Sequence, residues 1–307
     1  MSKLKTKISE GEAQYFLENI MGTVSELNSI AEGEISQAFS FKTQKNKEGE
    51  SGEFVIRFNT KQDGFAKDVY AYRQFNSLHI PVPAIIKQGK AGRLYYLITE
   101  KAEGKIIDEF TKAETRKIVP ALMQTLNAMH NFPIGETKFG DWNRKGVAKN
   151  DSWKNYLLRF LDRFEKYKNS NGKKILEKKV VDKILEIFKQ LIPDCPEERR
   201  LVHGDYGFNN LLSDGKRITG VIDWELGKYG DFLFDVAWLS FWEEELDYMT
   251  MFKRDYEKRN IFVPNFEKRI LCYKLMIGLD ALNFYSESEQ KEKYEKTKKK
   301  IFDLNGF

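Results

Sequence analysis

A short stretch in the second half of the chain contains the residues best suited to chemistry. It includes the run His203–Asp205, with Asn210 five residues after the aspartate. The pair Asp214-Gly215 follows between two apolar runs, a pattern that predicts a tight hairpin because such turns need residues that tolerate positive φ. The second run ends at Asp223, so we expect the hairpin to bring Asp223 close to Asn210.

These residue types at this spacing suit phosphoryl transfer. That reaction needs little covalent help from a protein, but it needs a positioned nucleophile and divalent metal that neutralises charge on the transferred group. Asp205 can accept a hydrogen bond from an attacking hydroxyl, and Asn210 and Asp223 offer the hard oxygen ligands that Mg²⁺ prefers. We expect His203 to brace the loop by hydrogen bonding and Gly204 to let two backbone segments pass closely. Each feature alone is common, but their combination favours a catalytic site.

The elements around this stretch divide the chain into two parts. Strands predominate up to residue 99, as in Glu53–Phe58 and Arg93–Thr99, with helices predicted over Glu12–Ile20 and Asp68–Leu78. Helical periodicity predominates beyond it, in the segments Thr111–His130, Trp153–Lys166, Ile175–Ile192, Asp235–Met249 and Lys268–Tyr285. The pattern predicts an α+β, bilobal fold: residues 1–99 as a small β-rich lobe, 100–104 as a connector, and 105–307 as a larger, mainly helical lobe.

Composition and charge exclude several classes of protein. The 307 residues are 41% apolar and 32% charged, as in soluble globular proteins, and no eighteen apolar residues follow one another. The polar start of the chain argues against a signal peptide. Cys195 and Cys272 are too few and too far apart for a disulfide framework or a zinc site. The net charge of +5 is mild, and the lysine-rich segment Lys291–Lys300 is typical of a solvated helix face. We therefore expect a cytoplasmic monomer without nucleic-acid or membrane partners.

From about Ile30 to Tyr285 the chain resembles the aminoglycoside phosphotransferase family, whose fold is similar to that of protein kinases. The resemblance is carried by the stretch His203–Asn210 and the hairpin after it. It implies an enzyme that transfers the γ-phosphate of ATP or GTP to an alcohol group. It also implies that Asp205 is the catalytic aspartate and that Asn210 and Asp223 bind Mg²⁺.

The same resemblance implies the nucleotide contacts. The backbone carbonyl of Glu100 and the N–H of Ala102 would hold the base, and Asp68 would steady the cation that contacts phosphate. Two positions depart from the kinase pattern. Arg57 stands where lysine is usual; it can bind phosphate oxygens through two nitrogens, or it is a surface-strand arginine. The candidate phosphate-covering loop has a single glycine, Gly33, which is far from a glycine-rich motif.

Within the family, Val55–Asn59 and Ile277–Asp280 are similar to enzymes that phosphorylate the 4-hydroxyl of hygromycin B. That similarity implies resistance to an aminocyclitol antibiotic. Such acceptors are polycations, so acidic side chains and tryptophan faces should bind them. The candidates that follow Asp223 are Glu225, Asp231, Trp238, Trp242 and Glu243. The alternative is that aromatic residues at helical spacing belong to the core.

Three other functions stay open. The acceptor could be a different alcohol, such as a macrolide or a metabolite. A protein kinase is disfavoured because Ile222-Asp223-Trp224 replaces Asp-Phe-Gly and no Ala-Pro-Glu follows. A catalytically silent, nucleotide-binding regulator would account for Arg57 and the glycine-poor loop, but it would not account for Asp205, Asn210 and Asp223 occurring together.

Overall fold

The structure is a computed structural model, and it describes residues 8–30, 37–43, 51–61, 63–168 and 176–304. In chain order its helices are α1 (Glu10–Met21), α2 (Ala66–Phe75), α3 (Lys112–His130), α4 (Trp153–Lys168), α5 (Lys178–Leu191), α6 (Leu233–Trp242), α7 (Tyr248–Lys258), α8 (Phe266–Glu287) and α9 (Lys291–Phe302). Its strands are β1 (Val24–Ser29), β2 (Gln37–Thr43), β3 (Gly52–Asn59), β4 (Ile85–Ala91), β5 (Leu94–Glu100), β6 (Lys105–Ile106), β7 (Gly140–Asp141), β8 (Arg200–Val202), β9 (Leu211–Ser213), β10 (Ile218–Val221) and β11 (Lys228–Gly230).

The chain packs as two compact units that interleave along the sequence. The first unit combines Met1–Ile118 with Asn209–Glu225, and the second combines Val119–Phe208 with Leu226–Phe307. The hairpin predicted around Asp214-Gly215 therefore packs with the N-terminal part of the chain. Among the described residues, no helix is both long and apolar enough to cross a membrane.

An antiparallel sheet of five strands, in the order β1-β2-β3-β5-β4, forms most of the first unit. Side chains alternate between its faces with the two-residue period of a strand. On β3 this period places Phe54, Ile56 and Phe58 on one face, where they pack with Phe39 and Phe41 of β2 in a buried cluster. Helix α1 covers this cluster. The alternation explains why the apolar run of β3 could be recognised as a strand from sequence.

The opposite face of β3 carries Arg57, which pairs in register with Leu97 of β5. Leu97 packs with Phe65 and with Val69 of α2 in a second buried cluster. The Arg57 guanidinium lies 5.1 Å from the centre of the Phe65 ring. Helix α2 therefore covers the face of the sheet that carries this arginine.

The predicted hairpin is confirmed, and β10, β9 and β6 form a small sheet in that order. Its turn contains Gly215, at φ +90°, and Asp214, whose Oδ1 accepts hydrogen bonds from the backbone N–H groups of Lys216 (2.8 Å) and Arg217 (2.9 Å). Gly104 is needed where the connector passes this hairpin. At its φ of +86° a Cβ would lie 1.9 Å from the Ser213 carbonyl oxygen.

The second unit is mainly helical and contains a small antiparallel sheet in the order β7-β11-β8. Helix α8 packs against α5, α6 and α9, and its residues are buried around much of its circumference. The helix predicted over Asp235–Met249 is wrong as one element, since α6 ends at Trp242 and α7 begins at Tyr248. Asp247 explains the break, because its Oδ1 accepts a hydrogen bond from the Thr250 N–H (3.0 Å) and caps α7.

Candidate active site

The loop that carries Asp205 follows strand β8 in the second unit. Its backbone is held by Asp235, a fully buried residue in the first turn of α6. One carboxylate oxygen of Asp235 accepts the His203 N–H at 2.9 Å, and the other accepts the Gly204 N–H at 2.8 Å. Both oxygens of one carboxylate thus fix the two residues immediately before Asp205.

His203 and Gly204, which we predicted to shape this loop, occupy positions that fit that role. The His203 side chain is fully buried, and its Nδ1 lies 3.3 Å from the Asp205 N–H, which donates to it. Gly204 has φ +81°, and a Cβ there would lie 2.2 Å from the Leu226 carbonyl oxygen. Glycine is therefore required both by the backbone conformation and by the close approach.

Asp235 was not identified from the sequence as a support for the loop. The available signal was an acidic residue within the apolar run Leu233–Trp242, where an unpaired charge would be costly. Burial raises the pKa of Asp235 to about 6, although the Gly204 and His203 N–H groups and the charge of Lys228 act in the opposite direction. The Asp235 carboxyl group is therefore ionised at neutral pH and becomes protonated in mild acid.

Asn210 and Asp223 belong to the first unit, where β9 and β10 bring their backbones together as expected. Val221 pairs with Leu211, and the Ile222 N–H donates to the Asn210 carbonyl oxygen at 3.0 Å. Asp223 has φ +62°, a strained conformation for a residue other than glycine. Strain of this kind is common at functional sites, where the surrounding structure holds a side chain in one direction.

The donor atoms of Asn210 and Asp223 fit a hard cation. An amide oxygen and a carboxylate are ligands that Mg²⁺ accepts, and Mg²⁺ commonly takes its other ligands from water and phosphate. Among the described residues, no cluster of three or more His, Cys, Asp or Glu side chains could hold a metal. Asn210 and Asp223 would hold such an ion through their side-chain oxygens.

Arg57 and Asp68 form a largely buried ion pair beside this segment. The Arg57 Nη2 lies 2.6 Å from Asp68 Oδ2, and the two side chains are 18% and 11% exposed. The other Asp68 oxygen accepts the Trp224 N–H at 2.9 Å, so Asp68 links Arg57 to the residue after Asp223. Arg57 is thus not a surface-strand arginine, and the structure brings Arg57, Asp68 and Asp223 together.

The charges in this group depend on one another. Burial opposes ionisation of Arg57, but the carboxylates of Asp68 and Asp223 raise its pKa above the ordinary value. The Asp223 side chain is open to solvent, yet desolvation by the protein around it raises its pKa; Asp68 adds to this rise and Arg57 opposes it. A permanent cation beside two carboxylates is a suitable place for phosphate oxygens and their counter-ion.

We predict that Arg57→Ala lowers the free energy of unfolding by about 3 kcal/mol, because it leaves Asp68 buried without its cation. Lys42→Ala is the matched control on the neighbouring strand. Lys42 contacts Glu26 at 2.8 Å and Glu53 at 3.2 Å, but these side chains are 42%, 60% and 43% exposed, so a loss of about 0–1 kcal/mol is expected. Urea unfolding measures both. Equal losses of unfolding free energy in the two variants would contradict a larger contribution from the Arg57–Asp68 pair.

Glu100 and Ala102 are the other two residues predicted to contact the nucleotide. Glu100 ends β5 and pairs with Phe54, and its N–H donates to the Ala84 carbonyl at 2.8 Å. Ala102 follows in the connector, where a Cβ on Gly220 would lie 3.0 Å from its side chain. Base binding by these two residues stays a prediction. Gly33 lies outside the described residues.

The five residues predicted to bind the acceptor fall in different places. Trp238, Trp242 and Glu243 lie together at the C-terminal end of α6, where the two tryptophan rings are 6.3 Å apart and partly exposed. A Glu243 carboxylate oxygen accepts the Phe208 N–H at 3.1 Å. Glu225 is exposed and belongs to the first unit. Three of the five predicted residues therefore lie close together, at the end of α6.

Asp231 lies in the protein interior, where it is bonded to other residues of the chain. It is fully buried, and its oxygens contact the Arg269 guanidinium, with Nε at 2.8 Å, and the Tyr273 hydroxyl at 2.5 Å. The sequence did not reveal this pairing, because Asp231 and Arg269 are 38 residues apart. Acceptor binding through Asp231 stays a prediction, although its oxygens already have partners within the protein.

The sheet of the first unit, the loop carrying Asp205 and the hairpin carrying Asn210 and Asp223 are features of a phosphotransferase with a protein-kinase-like fold. The chain belongs to the phosphotransferase enzyme family (APH), whose sequence model matches residues 26–267. Hygromycin-B 4-O-kinase from Escherichia coli is 31% identical over 283 residues, which cover 91% of this chain and 80% of that protein.

Solved structures agree with this assignment. Aminoglycoside phosphotransferase APH(4)-Ia, crystallised as a thermostable mutant in a ternary complex with AMP-PNP and hygromycin B, matches with a TM-score of 0.81 and 27% identity; the match covers 95% of this chain and 97% of that one. A choline/ethanolamine kinase family protein from Mesorhizobium loti has a TM-score of 0.66 at 17% identity, over 97% of this chain and 96% of that one, and shows the fold alone. The predicted family, α+β kinase-like fold and enzyme class are confirmed: the protein is a phosphotransferase that acts on a hydroxyl group.

Proposed function

We propose that this protein transfers the γ-phosphate of ATP or GTP to a hydroxyl of an aminocyclitol antibiotic, at the 4-hydroxyl of a compound like hygromycin B, and so confers resistance. The observation that supports this acceptor is 31% identity to hygromycin-B 4-O-kinase over 91% of the chain. Similarity over nearly the whole chain includes the parts that bind the acceptor as well as those that bind the nucleotide. We expect the enzyme to act as a cytoplasmic monomer.

In this mechanism Asp205 accepts a hydrogen bond from the acceptor hydroxyl and takes its proton as the oxygen attacks the γ-phosphorus. Asp235 holds the loop so that the Asp205 carboxylate meets the hydroxyl in one orientation. Precise orientation matters because positioning is a large part of catalysis in phosphoryl transfer.

Asn210 and Asp223 would hold Mg²⁺, which when bound neutralises charge on the nucleotide phosphates. Arg57 contacts phosphate oxygens, and Asp68 fixes the direction of its guanidinium. Glu100 and Ala102 hold the base through their backbone. In this proposal residues 1–99 serve mainly the nucleotide, 100–104 connect, and 105–307 supply the catalytic loop and the acceptor site.

Trp238, Trp242 and Glu243 are the acceptor contacts that the geometry supports best, since a carboxylate and two partly exposed rings on one helix end can bind ammonium groups and sugar rings. Replacing Glu243, Glu244 and Glu245 by glutamine is expected to raise the KM for the acceptor at least several-fold, with nucleotide affinity unchanged. The control is Glu257→Gln, which changes an exposed residue of α7 and should leave both the KM and the nucleotide affinity as in the wild type.

Because Glu243 also accepts the Phe208 N–H, the pair Glu244→Gln with Glu245→Gln separates electrostatic attraction from loop support. A KM for the acceptor that does not change in the triple variant would remove this segment from the acceptor site.

The proposal is tested by acceptor-stimulated release of ADP or GDP, measured with Mg²⁺ against a panel of aminocyclitols, macrolides and simple alcohols. Turnover stimulated by hygromycin B supports the proposed acceptor. Stimulation by another alcohol alone would overturn it and name a different substrate. Nucleotide binding without stimulated turnover by any member would favour a silent regulator.

A further inference from the structure

Lys228 is a buried lysine that the mechanism above does not use. It begins β11, where it pairs in register with Asp141 of β7 and with Val202 of β8. Val202 directly precedes the loop that carries Asp205, which is called the catalytic loop below. Only 3% of the residue is exposed. Lysines are almost never buried to this degree unless their charge has a partner, so its surroundings are informative.

The ammonium group of Lys228 lies against the catalytic loop. It donates to the Leu226 carbonyl oxygen at 2.8 Å, lies 3.7 Å from Asp141 Oδ1, and is 4.3 Å from the centre of the Phe234 ring. A Cβ on Gly204 would lie 2.5 Å from Lys228 Nζ. The side chain therefore extends from β11 to the backbone of the residue next to Asp205.

Lys228 and Asp235 both approach Gly204: a Cβ there would lie 2.5 Å from Lys228 Nζ, and the Gly204 N–H donates to Asp235 Oδ1 at 2.8 Å. Burial raises the pKa of Asp235, the Gly204 and His203 N–H groups lower it, and the positive charge of Lys228 lowers it further. An ionised carboxylate is a stronger hydrogen-bond acceptor than a protonated one, which loses acceptor capacity to its own proton. Conditions that favour the ionised form therefore strengthen the two bonds that fix the loop.

We propose that Lys228 is a positioning residue for phosphoryl transfer: its buried ammonium lies against Gly204 and stabilises the Asp235 carboxylate, which in turn holds the loop that carries Asp205. The part of this inference that is tested by enzyme activity rests on the proposed function. Lys228 itself has no contact with the reacting atoms in this account, and it acts through Asp235.

Two other titratable groups near Asp235 do not supply this charge. His130, at the end of α3, has Nε2 4.0 Å from Asp235 Oδ2, but burial lowers its pKa to about 3, so the ring is neutral. Tyr206, in the loop itself, has a pKa raised well above its ordinary value by burial and by Asp235, so it stays protonated. Neither group thus supplies the positive charge that Lys228 carries.

The pH dependence has a definite sign. As pH falls through the pKa of Asp235, the carboxylate is protonated, the loop loosens, and activity is lost. Without the charge of Lys228 that pKa rises, so the loss begins at higher pH. The acid limb of kcat is expected to move upward by roughly one pH unit, the size of shift that one opposite charge commonly produces.

The test compares Lys228→Met, which keeps the length and removes the charge, with Lys228→Arg, which keeps the charge. The exposed change Lys253→Met is the control, since Lys253 and its partner Glu267 are 49% and 64% exposed. Amide hydrogen exchange at His203 and Gly204 and the pH profile of kcat are measured for each. We expect the methionine variant to exchange about tenfold faster at these amides, with its acid limb shifted upward, and the arginine variant to keep the wild-type midpoint.

Unchanged exchange and an unchanged midpoint in Lys228→Met would overturn the inference. Equal impairment of both variants with the wild-type midpoint would also overturn it, because it would show a role in packing rather than in charge. The exchange measurement requires no acceptor. If no aminocyclitol stimulates turnover, the proposed acceptor fails, while the exchange result still decides the role of Lys228.

Discussion

Asp205→Ala is expected to reduce acceptor-dependent phosphoryl transfer by roughly 10²–10⁴-fold, the usual contribution of a positioned general base. The reason is local: Asp205 is the side chain presented by a loop whose preceding N–H groups are both held by Asp235. Nucleotide affinity should be retained, because the Arg57–Asp68 pair lies in the other unit. Coupled detection of ADP release and calorimetric nucleotide binding measure the two quantities.

Asp162→Ala is the matched control for this change, since Asp162 is an exposed aspartate of the same unit, on α4. It should leave both quantities as in the wild type. Transfer by Asp205→Ala within a few-fold of the wild-type rate would contradict the assignment of Asp205 as the catalytic residue.

Asp223→Ala is expected to lower the transfer rate on the order of 10²–10³-fold and to raise the Mg²⁺ concentration needed for half-maximal rate. A metal that neutralises phosphate charge contributes several kcal/mol to the barrier, and each decade of rate corresponds to about 1.4 kcal/mol. Asn210→Ala should act in the same direction. Chelation of Mg²⁺ should abolish transfer by the wild-type protein.

Glu18→Ala, an exposed change on α1 in the same unit, serves as the control for the metal titration. If Asp223→Ala kept the wild-type dependence on Mg²⁺, Asp223 would not be a metal ligand, whatever its effect on rate. Thermal unfolding of each variant shows whether the strained backbone at residue 223 changes stability separately from metal binding.

Local signals in the sequence predicted the parts of the site that are continuous along the chain. Asp214-Gly215 between apolar runs requires a hairpin, and the hairpin is enough to bring Asn210 and Ile222 into backbone contact. The 3.6-residue period placed α3, α4 and α8 with small errors at their ends. These features depend on neighbours within a few residues, which a single sequence displays.

The parts that could not be predicted depend on pairs far apart in the chain. Asp235 holds Gly204 across 31 residues, and Arg269 meets Asp231 across 38. Nothing in the local pattern distinguishes a buried aspartate that supports a loop from one that caps a helix. Similarly, the break between α6 and α7 depends on the cap at Asp247, which the apolar periodicity of the region conceals.

The most direct test of the central claim is to identify the product. The protein is incubated with hygromycin B, Mg²⁺ and ATP or GTP, and the antibiotic is then examined by mass spectrometry and phosphorus NMR. The account predicts a single phosphomonoester on the 4-hydroxyl that does not form with Asp205→Ala. Unmodified hygromycin B, recovered from protein that binds the nucleotide, would contradict it.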